Sequence, residues 1–123
     1  TMGMDFLPDK PIYQQIIESI IGNIISGTLS PGDKLPSVRD YAVQVGVNAN
    51  TMQRVFKELE QMEVTETKRG QGSFVTENVQ QIEYLRQQVK EDLANSFLQS
   101  IETYGIDINE MIEDLRKRSA RSD

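Results

Sequence analysis

At 123 residues the chain is long enough for one modest domain with an appendage, and it contains no cysteine and no histidine. Disulfide and thiolate chemistry are thereby excluded, and the commonest general base and metal ligand is missing, which strips most hydrolase and zinc readings of their usual apparatus. The formal net charge of -6 is unlike that of a typical nucleic-acid binder, and it is spread evenly, with 7 basic and 10 acidic residues up to Glu77 and 6 and 9 after it.

Thr1, Met2 and Gly3 read as the remnant of an expression tag before a natural start at Met4. No charged-then-apolar leader follows, and no apolar run approaches the roughly 20 residues of a membrane span. A cytoplasmic protein without a membrane partner is expected. Pro11 suits the first position of a helix. Ile12, Ile16, Ile17, Ile20, Ile21, Ile24 and Ile25 then recur at helical intervals, and core packing is the expected role of that stripe. Gly27 stops the helix. Pro31 and Gly32 fit the central positions of a type II turn, while Pro36 biases Leu35 toward extended backbone, so a short strand is expected at Lys34 and Leu35.

The stretch from Ser37 to Lys57 holds two short helical patterns separated by a turn. Ser37 is an N-cap with Asp40 three residues on, in capping-box fashion. Val38, Ala42 and Val45 repeat at helical spacing, Gly46 suits a left-handed helix end, and Asn48 offers a cap to the next helix. In that helix Met52, Val55, Phe56, Leu59 and Met62 form an apolar face opposite Asn50, Gln53, Arg54, Lys57 and Gln61. Two helices with a tight glycine-containing turn describe a helix-turn-helix, whose second helix can enter a major groove.

Val64 to Lys68 and Ser73 to Thr76 are β-favourable runs joined by Arg69, Gly70, Gln71 and Gly72, which predicts a hairpin with a basic tip at Lys68 and Arg69. Beside a helix-turn-helix, such a ribbon is a wing. From Asn78 the texture changes. Ile82, Leu85, Val89, Leu93, Phe97 and Ile101 step by three or four, with Ala94 and Leu98 widening the stripe, and predict a helix from Ile82 to Thr103 about 33 Å long. Tyr104 and Gly105 end it, Asp107 with Glu110 caps another, and Met111, Ile112 and Leu115 make that one amphipathic. Arg116, Lys117 and Arg118 complement its dipole, or else contact DNA.

The fold class expected is therefore mainly α with a small β wing: a winged helix-turn-helix at residues 4–77, followed by a two-helix C-terminal dimerisation tail at 78–123. The tail's apolar positions, Ile82, Leu85, Val89, Leu93, Phe97, Leu98, Ile101, Met111, Ile112 and Leu115, need a partner surface that one winged helix does not supply. A second copy is preferred over folding back.

On these residues the chain resembles the GntR family of bacterial transcription regulators, in its YtrA-type subfamily. The matching segments are Pro11-Ile12-Tyr13, Gly27 to Arg39, Gly46-Val47-Asn48, Asn50-Thr51, Glu58-Leu59-Glu60 and Arg69 to Val75. Their joint occurrence in this order is highly specific. The resemblance implies a homodimeric regulator, a repressor, binding a palindromic operator in double-stranded DNA. It implies that Arg39 reads a guanine edge, that Asn50, Gln53 and Arg54 face the groove, that Ser37 and Thr51 contact phosphates, and that the wing with Gly70 and Gly72 reaches the minor groove. Ala49 stands where the wider family often has a polar or basic reader, and Glu63 where it often has glycine, so the turn into the wing is expected to be strained or differently shaped.

Each assignment has a local alternative. Arg39 could pair with Asp33 or Asp40 and Arg54 with Glu58 at i+4, whereas an arginine fork also matches guanine O6 and N7. Asn50 and Gln53 can each pair with adenine or stay solvated. The case for DNA requires Lys34, Arg39, Arg54, Lys57, Lys68 and Arg69 to share one face, because phosphate contacts supply much of the affinity. A winged helix used for protein interaction is the first rival. An enzyme is the second, with no catalytic motif among nineteen acids. No cofactor is expected, and any small-molecule effector of unknown identity would be limited to a small pocket at the dimer interface.

Overall fold

The computed structural model describes residues 3–121, so Thr1 and Met2 of the expected tag remnant lie outside the described residues. In chain order these residues form α1 (Ile12–Ser26), α2 (Val38–Val45), α3 (Ala49–Gln61), β1 (Thr65–Lys68), β2 (Gly72–Val75), α4 (Val79–Thr103) and α5 (Ile108–Arg121). The architecture is mainly α with a small antiparallel two-stranded wing, as the periodicities predict.

Helix α1 begins at Ile12, one residue later than expected. Pro11 is its N-cap, with ψ of 140, and the Pro11 carbonyl accepts from the amides of Gln14 and Gln15 at 3.2 and 3.3 Å. Gln15 explains the extended entry: its side chain accepts from the Leu7 amide and donates to the Leu7 and Lys10 carbonyls, closing the preceding turn. Ile16, Ile17, Ile20, Ile21 and Ile24 are buried, Ile25 is half-buried, and Ile12 is exposed. Both α1 and α2 pack on α3, and α3 on β1. Their common core includes Ile16, Met52, Val55, Leu59 and Val64, each with no accessible surface.

The turn at Ser30 to Asp33 closes through the Asp33 amide and Ser30 carbonyl at 3.0 Å, with Gly32 at φ 85. The strand expected at Lys34 and Leu35 shrinks to one antiparallel bridge between Lys34 and Phe74. The Leu35 amide donates to the Ser73 carbonyl at 2.9 Å. The ladder goes no further because Ser37, the next residue whose backbone would face β2, caps α2 instead and its carbonyl accepts from the Tyr41 amide.

Helix α3 ends in a paired turn: Val64 N–H donates to the Leu59 carbonyl and Glu63 N–H to that of Glu60. This geometry demands a left-handed residue, and Glu63 takes it at φ 61. Buried Leu59 and Val64 fasten the turn.

The chain divides into two compact units between Leu85 and Arg86, so the first runs past Glu77 into the opening turns of α4. Asn78 caps α4 by accepting from the amides of Gln80 and Gln81, which starts the helix three positions before Ile82. In the second unit Gly105 turns at φ 64 and Asp107 caps α5 by accepting from Asn109 and Glu110. Among the described residues, no helix is long and apolar enough to cross a membrane.

Candidate nucleic-acid interface

Ser37 caps α2 by accepting from the Asp40 amide at 3.1 Å; the reciprocal half of a capping box is absent among the described residues. Gly46 ends α2 at φ 87, and Asn48 caps α3 by accepting from the Thr51 amide at 2.8 Å. Only three residues thus separate the helices, all of them fixed by caps. Tyr41 and Phe56 lock α2 against α3 edge to face, with ring centroids 5.9 Å apart. Burial raises the Tyr41 hydroxyl above its ordinary value of 10.0, so it stays neutral at physiological pH.

With Met52, Val55 and Leu59 turned into the core, the spacing of α3 puts Asn50, Gln53, Arg54 and Lys57 on its outer face, where all four are exposed. Asn50, Gln53 and Lys57 have no side-chain partner among the described residues, and Thr51 is half-buried at the helix start. Arg39 is exposed and pairs with neither Asp33 nor Asp40; Asp33 instead accepts from the Ser30 amide at 2.8 Å. Arg54 does make the i+4 pair with Glu58, Nε to Oε1 at 3.3 Å, and its guanidinium also lies 3.5 Å from the centre of the Tyr13 ring.

The wing pairs Thr65 with Val75 and Lys68 with Gly72, and the Gln71 amide donates to the Lys68 carbonyl across the tip. Gly70 and Gly72 both have positive φ. A Cβ at Gly72 would come within 3.3 Å of Lys34 Cε, a flexible side-chain end that can yield, so it is the backbone conformation at φ 113 that favours glycine there. Lys68 Nζ stands 4.6 Å over the Phe74 ring, while Arg69 is exposed at the tip. A concavity of about 690 Å³ joins these parts, lined by Lys34, Ser37 and Val38 at the start of α2, Phe56 of α3, and Gln71 to Ser73 of the wing.

Charge is segregated along this unit. From Lys34 to Lys57 there are four basic residues, Lys34, Arg39, Arg54 and Lys57, against one acid, Asp40. Glu58, Glu60, Glu63 and Glu66 follow immediately, and the last three line a separate depression of about 410 Å³ behind the wing, where Glu60 accepts from the Thr67 hydroxyl. Even with Glu58, which pairs with Arg54, counted against them, the basic residues of this segment outnumber the acids, so local sign departs from the net charge. No group of acidic side chains among the described residues has a metal-binding arrangement.

Of the tail positions, Leu85 and Ile101 are buried, Ile82, Val89, Phe97 and Met111 are half-buried, and Leu93, Leu98, Ile112 and Leu115 are exposed. Sequence reasoning missed Tyr13 as a partner of Arg54. It belongs to the Pro11-Ile12-Tyr13 segment, yet nothing in local spacing ties α1 to the outer face of α3.

A sequence model described as "Bacterial regulatory proteins, gntR family" matches residues 12–75, over half of the chain. The chain is 37% identical over 115 residues to the uncharacterized HTH-type transcriptional regulator YhcF of Bacillus subtilis, covering 94% of this chain and 95% of the relative. It is 35% identical over 112 residues to the HTH-type transcriptional repressor YtrA of the same organism, covering 89% and 85%. A solved GntR family transcriptional regulator from Listeria monocytogenes superposes with a TM-score of 0.86 at 38% identity, over 91% of this chain and 98% of that one. The DNA-binding domain of AraR in complex with operator ORX1 is similar at a TM-score of 0.54 and 26% identity, over 59% and 93%.

Proposed function

The chain belongs to the gntR family of bacterial regulatory proteins, and on that premise we propose that it is a sequence-specific DNA-binding transcription regulator, a repressor acting in the cytoplasm as a homodimer on a palindromic operator. The observation that carries this reading is the exposure of all four basic residues in the acid-poor segment from Lys34 to Lys57, with Arg39 unpaired among the described residues. Residues 4–77 are the DNA-binding domain and 78–123 the dimerisation tail. Helix α3 enters the major groove with Asn50, Gln53, Arg54 and Lys57, and Arg39 assists from α2. Ser37 and Thr51 meet phosphates. Lys68, Arg69 and the glycine-tipped loop hold the flanking backbone or minor groove.

Two relatives support the assignment, since YtrA carries the name of a repressor and the AraR domain was solved on operator DNA. The homodimer is supported by apolar exposure in the tail, where Leu93, Leu98 and Leu115 are 66%, 47% and 46% exposed. One half-site offers limited specificity, and a second copy multiplies it.

A salt titration separates this reading from a protein-interaction module. Association with duplex DNA should weaken steeply with added salt, log K falling linearly with log salt at a slope set by the phosphates neutralised. A flat titration, or no association at low salt, contradicts it.

A further inference from the structure

We propose that Tyr13 is a positioning residue for DNA recognition, its ring acting with the Glu58 carboxylate to hold the Arg54 guanidinium as a ready-made fork. The inference depends on the DNA-binding reading above and adds to it a residue outside the helix-turn-helix and the wing.

Three geometric facts carry it. The guanidinium carbon lies 3.5 Å from the Tyr13 ring centre, so one face of the planar group is covered by an aromatic ring. Its Nε–H donates to Glu58 Oε1 at 3.3 Å, which takes up the edge nearest the alkyl stem. The four terminal N–H groups have no partner among the described residues, and they are the ones whose spacing matches guanine O6 and N7 or two phosphate oxygens. Covered on one face and tied at Nε, the group keeps only its terminal edge for a ligand.

Two consequences follow. A side chain already arrested loses less conformational freedom on binding than a mobile one. The Glu58 charge also cancels that of Arg54 at long range, so the pair adds little to the sequence-independent attraction of DNA and acts through geometry. Losing the ring should therefore weaken binding to the preferred sequence while leaving binding to arbitrary sequence unchanged. A merely structural residue would weaken both.

The test uses the full chain, a duplex recovered by selection from random-sequence DNA, and a scrambled duplex of equal length. Tyr13→Leu, which keeps apolar bulk at this half-buried site, should lower affinity for the selected duplex by about two- to fivefold and leave the scrambled duplex and the salt slope unchanged. Tyr13→Phe, which keeps the ring, should match the parent on both. In an Arg54→Gln background, Tyr13→Leu should have no further effect. The proposal is overturned if Tyr13→Phe loses as much as Tyr13→Leu, since the hydroxyl would then be the contact. It is equally overturned if Tyr13→Leu weakens both duplexes, acts undiminished without Arg54, or changes nothing. A parent protein that prefers no duplex removes the DNA-binding reading itself, and this inference with it.

Discussion

The two units handle their apolar residues in opposite ways. In the first, Met52, Val55, Leu59 and Val64 have no accessible surface, and α1, α2 and β1 all close upon α3. In the second, Leu93 is 66% exposed, Leu98 47% and Leu115 46%, and among the described residues α5 buries none of its side chains. A core closed on all sides is self-sufficient, whereas the second unit leaves leucines on both of its helices open to solvent, as the proposed dimer requires. The same sequence periodicity therefore has two outcomes. On α3 the stripe meets neighbours on three elements; along α4 and α5 part of it stays in contact with water.

That contrast can be broken most sharply in the first core. Leu59→Ala should destabilise the protein by about 2–5 kcal/mol in denaturant unfolding, because it leaves a cavity among side chains that are fully buried. Leu98→Glu should instead leave helical content by circular dichroism intact and shift the protein from dimer to monomer in sedimentation, removing roughly 2 kcal/mol of interface burial per protomer. If Leu98→Glu unfolds the chain, or leaves its mass unchanged, the second unit is not the open surface described.

A smaller effect sharpens the role of the first unit's outer face. Arg39→Ala should cost about 1–3 kcal/mol in affinity for the selected duplex and relax preference at one base pair. Uniform weakening over all sequences would make Arg39 a phosphate contact. The smallest effect concerns the turn between α3 and the wing. Glu63→Gly should stabilise the fold by about 0.5–1 kcal/mol, raising Tm by a few degrees, since the paired turn holds this residue at φ 61.

What was legible in the sequence is what neighbouring residues decide between themselves. Ser37, Asn48 and Asp107 cap as expected because a cap needs only its own side chain and an amide two or three positions on. Gly27 and Gly46 end helices for similarly local reasons. The pairing of Arg54 with Glu58 follows from one helical turn. Glu63 was readable as a problem through the glycine usual at that place in the family. Contacts between elements were not legible. The strand expected at Lys34 and Leu35 is one bridge because the chain leaves β2 to cap α2 at Ser37, and α4 starts three positions before Ile82 because the Asn78 cap, not the apolar stripe, fixes its first turn. Tyr13 over Arg54, Lys68 over Phe74 and Thr67 on Glu60 depend on packing or strand register that no single stretch reveals. For the proposed DNA-contact residues, the sequence named the outer face of α3, while the segregation of acids behind the wing needed coordinates.

Selection of bound fragments from a random duplex library by the full chain tests most directly whether two copies present this acid-poor face to DNA. The recovered fragments should share an inverted repeat, with protection of both half-sites and a stoichiometry of two chains per duplex. Fragments with no common sequence, or with a single unrepeated site bound by one chain, would contradict the account.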